Sequence, residues 1–206
     1  LSPGTRVMAG FSLGGAMAVH ASLVAPQLYD RMLLLGPLLS IRGGAFVEGL
    51  AWMLGRMPGI RNLRVKPVAV REDCKRWNYR GRGGFCDYRL KHVTALIALE
   101  RHNRELYAAA PFTMPLQIVA AGGETVVSNE RILDFKHRHE SVAEVELCFL
   151  DEQVPHEMLS PYENTDIEMY WLAGLIRRSV DFVADAQAFP ATPGYQDGEE
   201  LDICRL

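Results

Sequence analysis

No stretch of this 206-residue chain is apolar enough to cross a bilayer as a helix, which takes about 20 residues. The longest apolar run, Met32 to Leu39, contains Gly36 and Pro37 and reads as a buried strand with its exit. Cysteine is scarce. Cys74, Cys86, Cys148 and Cys204 include no C-x-x-C pair, so there is no zinc signature. Cys148 falls in an expected core strand, where it reads as a small buried hydrophobe. Free thiols are the expectation for all four, with a Cys74–Cys86 pair as the alternative in an oxidising compartment. A charge excess is absent too: the net charge is −3, and nothing in the whole molecule suggests a nucleic-acid partner. There is no internal repeat. The first residue is Leu1 rather than methionine, so the native N-terminus is expected upstream and no signal peptide can be read. The expected location is cytoplasmic or membrane-associated.

What is present suits one folded domain: 49% hydrophobic and 23% charged residues over a length that buries a sizeable core. Strands are expected at Thr5–Ala9, Arg31–Leu35, Pro115–Ala121 and Glu144–Leu150. Helices are expected over Gly14–Ala25, His92–Ala110, Ser128 to about His139, and from Thr165, where Thr165-Asp166-Ile167-Glu168 forms a capping box, to about Ala186. The continuous apolar strands fit a parallel sheet covered on both faces, and the alternation implies an α/β fold.

Residues 42–91 break that pattern. Phe46, Val47, Leu50, Ala51, Met53 and Leu54 recur at helical spacing, ended by Gly55 and Pro58-Gly59. From Arg56 to Lys91 eleven Lys/Arg face three acids, a local excess of +8. Trp77, Tyr79, Phe85 and Tyr88 are interleaved with these charges. The segment reads either as a solvated basic insertion with a small aromatic core, or as a cap that attracts anionic substrates or a membrane surface. The expected organisation is a core of 1–41 and 92–186, a cap over 42–91, and a loose polar tail over 187–206.

The stretch with the most specific chemistry is Val7-Met8-Ala9-Gly10-Phe11-Ser12-Leu13-Gly14-Gly15-Ala16. It is G-x-S-x-G between a strand and a helix, the context of a nucleophile elbow. The serine must sit on a tight strand-to-helix turn, and glycine at 10 and 14 is expected to remove Cβ atoms that would collide there. The turn lifts the Ser12 hydroxyl above the sheet. It also puts the Leu13 N–H at a helix N-terminus, aimed at an oxyanion beside Ser12.

A serine hydroxyl needs a base, and the base an orienting acid. Of six histidines only His156 lies in a loop after a strand. His20 is inside the first helix, His92 and His102 are on the helix before the third strand, and His137 and His139 end a polar helix expected to be exposed. Glu124 ends the strand one βα unit before His156 and can fix its tautomer. Asp151 and Glu152 are rivals, since they share the histidine loop, and Glu124 alternatively serves the N-terminus of the next helix. Ser12, Glu124 and His156 all follow strands, at the edge where sites of such sheets lie.

Three stretches resemble the α/β-hydrolase family, most closely its lysophospholipase and monoacylglycerol-lipase-like (serine aminopeptidase-type) members. They are the elbow stretch, Met32-Leu33-Leu34-Leu35-Gly36-Pro37, and Pro115 to Val127; Val154-Pro155-His156-Glu157 adds the usual histidine loop. The resemblance implies Ser12 as nucleophile, His156 as base, Glu124 as acid and Leu13 N–H as half an oxyanion hole. It also implies no metal or organic cofactor, and a small-molecule or lipid ester substrate. Hydrolysis of a lysophospholipid or monoacylglycerol through an acyl-enzyme is the expected reaction. An acyltransferase, thioesterase or peptidase of the same fold, or a non-catalytic hydrolase-like protein, is the alternative. The family usually has aspartate where this chain has Glu124. It also has strands before the elbow, with the second oxyanion donor among them, so this sequence resembles the C-terminal two-thirds of a hydrolase.

Overall fold

A computed structural model describes residues 4–65, 88–159, 169–184, 193–196, 199–202 and 204. Cys74, Cys86, the Thr165 capping box and most of the basic aromatic stretch lie outside the described residues.

The central sheet has four parallel strands in the order β1-β2-β5-β6. They are β1 (Val7–Phe11), β2 (Arg31–Leu35), β5 (Leu116–Ala120) and β6 (Val145–Phe149). β2 pairs Met32 with Leu116 and Leu34 with Ile118. Every residue of β5 is buried, as its unbroken apolar run requires of a strand covered on both faces.

Strand alternation divides the interior in two. On one face Met32, Leu34, Leu116, Ile118, Ala120 and Leu147 pack with Ala16 and Val19 of α1 (Leu13–Val24) and with Ile132 and Phe135 of the helix after β5. On the other, Val119 and Cys148 pack with Val154, Met158, Trp171 and Leu175. Helices therefore cover both faces, and the chain has the expected three-layer α/β-hydrolase architecture. β1 sits at one edge of the sheet and none of its residues is fully buried.

Between β2 and the core helix α3 (Leu90–Ala109) lies the divergent segment. It opens with α2 (Gly44–Gly55), where helical spacing placed it. Short strands β3 (Arg64–Val65) and β4 (Tyr88–Arg89) pair antiparallel. α2 packs on α3, and Trp52 of α2 receives the guanidinium groups of Arg56 and Arg101 on its ring.

Two expectations are corrected. The first concerns the helix α4 (Asn129–His139), capped by Ser128, whose hydroxyl accepts the Arg131 N–H. His139 is not on an exposed face but fully buried. Ile132, Phe135 and His139 fall on one face, and the His139 ring lies among Tyr107, Phe112 and Phe135, its Nδ1–H donating to the Phe135 carbonyl. A helix polar in sum still buries one stripe. Burial lowers the His139 pKa, Arg138 adds to the effect, and the bond to Phe135 opposes it. The unfolded chain therefore takes up the proton first. The stability contribution is complete above the ordinary histidine pKa of about 6.5 and is lost as pH falls below it. Melting temperature is expected to drop with acidification in this window, and His139→Gln to flatten that slope.

The second correction concerns the cysteines. Cys148 is buried but not free: it forms a disulfide with Cys204. Sequence spacing carries no pairing information between residues 56 apart, so only the fold could bring them together. The stretch expected to be a loose tail contains an antiparallel hairpin, β7 (Pro193–Gln196) with β8 (Glu199–Asp202), and follows α5 (Leu172–Ala184). The disulfide ties the chain just beyond this hairpin to the last core strand. Closing a loop of this length removes about 4 kcal/mol of freedom from the unfolded chain.

Candidate active site

Ser12 follows β1 and precedes α1 with φ 51° and ψ −119°, the one non-glycine residue with positive φ among the described residues. Such a conformation costs on the order of 1–3 kcal/mol and persists only where its surroundings enforce it. Here they do. The Ser12 N–H donates to Leu35 O (3.0 Å), while its carbonyl accepts from Gly15 N (2.9 Å) and from Leu38 N (2.9 Å). The neighbouring strand exit and the helix start thus grip the serine from two sides.

The glycines divide differently from the expectation. A Cβ on Gly10 would lie 2.3 Å from the Gly14 carbonyl oxygen. On Gly15 it would lie 2.8 Å from Pro37 Cα. On Gly14 it would meet nothing within 4 Å. The close approaches at the elbow therefore belong to Gly10 and Gly15. Pro37, read from sequence only as a strand terminator, is the surface that α1 packs against.

From this turn the Ser12 hydroxyl reaches His156 Nε2 at 2.8 Å. His156 Nδ1 is 2.6 Å from Glu124 Oε2, and both side chains are almost wholly buried. The second carboxylate oxygen of Glu124 accepts the N–H groups of Val126 (2.6 Å) and Val127 (3.0 Å). Burial works to raise the Glu124 pKa, but the hydrogen bond and charge of His156, with the two backbone N–H groups, outweigh it and hold the carboxyl below its ordinary value. An ionised carboxylate at Nδ1 fixes the proton there and leaves Nε2 free to accept from the serine.

Each residue expected at the site is placed. Ser12, His156 and Glu124 form one hydrogen-bonded chain across three loops at the carboxyl ends of β1, β5 and β6. Leu13 is the first residue of α1, so its N–H has no intrahelical acceptor. The rival Asp151 instead accepts the Gln153 N–H (3.3 Å). His20 is remote and bonds Asn103 through Nδ1 (2.9 Å).

Other contacts were not legible beforehand. Phe11 backs the imidazole with ring centroids 5.3 Å apart. Gly36, at φ 48°, brings backbone so close that an added Cβ would lie 3.6 Å from the His156 ring and 3.2 Å from Met158. Arg42 donates to the Glu124 carbonyl. Phe11 and Gly36 stand inside or beside recognisable motif letters, whereas Arg42 carried no signal.

The sequence profile of the family described as serine aminopeptidase, S33, matches residues 2–162. No curated protein matches. Among solved structures, the monoacylglycerol lipase of Paleococcus ferrophilus superposes with a TM-score of 0.65 at 13% identity, over 89% of this chain and 69% of its own. A soluble variant of the Saccharomyces cerevisiae monoglyceride lipase, in complex with a substrate analog, gives 0.62 at 12%, over 90% and 64%. A metagenome-derived lipolytic enzyme from a study of LipS and LipT gives 0.61 at 16%, over 88% and 66%. The chain thus spans about two thirds of the length of these structures. At such identities the likeness speaks for the fold, while the profile covers most of the sequence: this chain belongs to the serine aminopeptidase S33 family of α/β-hydrolases.

Proposed function

We propose that the protein is a serine hydrolase of carboxylic esters, acting through Ser12, His156 and Glu124. The observation that supports this most is the unbroken hydrogen-bond chain from the Ser12 hydroxyl through His156 to a buried Glu124. In this reading Ser12 Oγ attacks the acyl carbonyl while His156 Nε2 takes the hydroxyl proton. The ester C–O bond then breaks, the same proton passes to the leaving alcohol, and an acyl-serine remains. Water adds by the reverse sequence and the acid leaves. The Leu13 N–H stabilises the oxyanion in both halves, a donor worth roughly 10²–10³ in rate.

A lipid-type ester, such as a monoacylglycerol or a lysophospholipid, is the proposed substrate class. The surface of α2 supports it: Phe46 is 80% exposed, and Val47, Leu50 and Met53 are exposed beside it. Arg42, Arg56, Arg61 and Arg64 lie on or close to α2 in the sequence. An exposed apolar helix face in a basic segment of the chain suits lipid with anionic headgroups. Two of the structural neighbours are themselves named monoacylglycerol or monoglyceride lipases.

A fluorophosphonate probe is expected to add a phosphonyl group to the peptide carrying Ser12, and monoacylglycerol or lysophospholipid to release fatty acid. Absence of any Ser12-dependent label overturns the enzymatic reading. Capture of the acyl group by an added alcohol or thiol, in preference to water, would assign transfer instead. Co-sedimentation with anionic but not zwitterionic vesicles checks the membrane contact.

A further inference from the structure

The Glu124 carboxylate is aimed by backbone N–H groups of Val126 and Val127, so the placement of that short loop decides the placement of the acid. The other edge of the loop is bonded to residues 40–42, which lead into the cap. Ser128 N–H donates to Ser40 O (2.9 Å), Arg42 N–H donates to Val126 O (2.9 Å), and Ile41 bridges Val127 antiparallel. The Arg42 guanidinium adds its bond to the Glu124 carbonyl. Residues 40–42 therefore form a strap across the loop.

The strap is itself held from the cap. The Ser40 hydroxyl, fully buried, donates to Glu48 Oε1. Glu48 is 2% exposed and is the only ionisable residue of α2, whose sequence is GAFVEGLAWMLG. Its other oxygen accepts from Arg104 Nη2 of α3 at 3.2 Å. A buried carboxylate in an otherwise apolar helix does nothing for solubility, and an apolar residue of similar volume is often as stable or more so. Its contacts give it a role in geometry: it joins Ser40 of the strap to Arg104 of α3.

The surroundings reinforce that point. Glu100 of α3 is also 2% exposed, and neither of its carboxylate oxygens has a hydrogen-bond partner. Burial first, then the neighbouring Glu48, push its pKa to about 8 against the pull of Arg104 and Arg101. At neutral pH Glu100 is protonated, and Glu48 is the carboxyl group that Arg104 and Ser40 hold by hydrogen bonds.

We propose that Glu48 is a positioning residue which, through Ser40, locks the cap helix α2 to the loop that aims Glu124 at His156. This inference rests on Glu124 acting as the acid of the proposed triad. A shift of α2, as when a substrate or surface engages its exposed face, is then transmitted along 40–42 to the His156–Glu124 contact. The cap thereby acts on turnover as well as on substrate choice.

The test uses Glu48→Ala, Ser40→Ala and Glu48→Gln. It reads kcat and KM on a p-nitrophenyl ester, and the low-field proton resonance of the His156 Nδ1–H bond. Small misplacement of a catalytic group can cost up to about 10²-fold, so Glu48→Ala and Ser40→Ala are expected to lower kcat roughly 10- to 100-fold. KM should change little, and the low-field resonance should broaden or shift. Glu48→Gln keeps an acceptor for the Ser40 hydroxyl and is expected to recover most of the loss. A lower melting temperature with unchanged kcat per folded molecule and an intact resonance overturns the proposal. If Glu48→Ala does not fold, Ser40→Ala, which deletes one oxygen, decides alone. Glu124→Gln is the control on the underlying reading. If that variant retains full kcat, the triad assignment has failed; if it loses activity while Ser40→Ala does not, only the coupling has failed.

Discussion

Ser12→Ala is expected to abolish ester turnover, lowering kcat by about 10⁶, the scale set by loss of a serine nucleophile that acts as a unit with its base. The fold should survive. Alanine carries the same Cβ at φ 51°, and among the described residues the deleted hydroxyl bonds only His156. His156 keeps Glu124, and Glu124 keeps both backbone donors. A fluorophosphonate should no longer label the protein, while its melting temperature stays within a few degrees. Ser12→Gly should be equally inactive yet more stable, because glycine relieves a conformation that costs on the order of 1–3 kcal/mol. Stability gained on removal of the serine is the mark of strain held for function. Residual Ser12-independent turnover at the original rate would place the chemistry elsewhere.

The second large effect separates two glycines of the same motif. Gly10→Ala drives a Cβ to 2.3 Å from the Gly14 carbonyl oxygen and 2.7 Å from the Gly15 nitrogen. These are backbone atoms of a turn already fixed by Leu35 and Leu38, so no side chain can swing aside. The expected cost is upwards of about 3 kcal/mol, above the usual range for a point substitution. Gly14→Ala meets no atom within 4 Å, has no positive φ to oppose it, and lies in the first turn of α1. It should be neutral or stabilising by up to about 1 kcal/mol through helix propensity. Urea unfolding of the two variants checks this. Equal destabilisation would overturn the steric account of the elbow.

Much of the site was legible because its chemistry is local in sequence. Gly10-Phe11-Ser12-Leu13-Gly14 lies between a strand and a helix, and residue order along a parallel sheet brings Glu124 and His156 to the same edge. The core strands were legible for the same reason: an unbroken apolar run such as Leu116 to Ala120 has only one comfortable place. Helix faces and distant partners were not legible in this way. His139 was assigned to solvent from the polarity of its helix, although the stripe it shares with Ile132 and Phe135 is buried. Gly14 was credited with a packing role that belongs to Gly15, since the obstacle is Pro37, on a different element.

The sequence by itself determined the layer architecture, the G-x-S-x-G turn and the order of Ser12, Glu124 and His156 along the sheet. These follow from hydrophobic periodicity and turn chemistry, which act over a few residues. The tertiary structure alone decided that Glu124 rather than Asp151 meets His156. It also decided that Cys148 pairs with Cys204 and that a buried Glu48 bonds Ser40, whose segment bonds the loop after Glu124. The first two depend on contacts between residues far apart in sequence: 32 for His156 and Glu124, and 56 for the two cysteines; Ser40 and Glu48 are 8 apart, and it is the bond from Arg42 to Val126 that joins their segment to a distant loop. Such contacts are set by how layers close over one another. Closure is governed by the summed packing of the core, and no local pattern of letters records it.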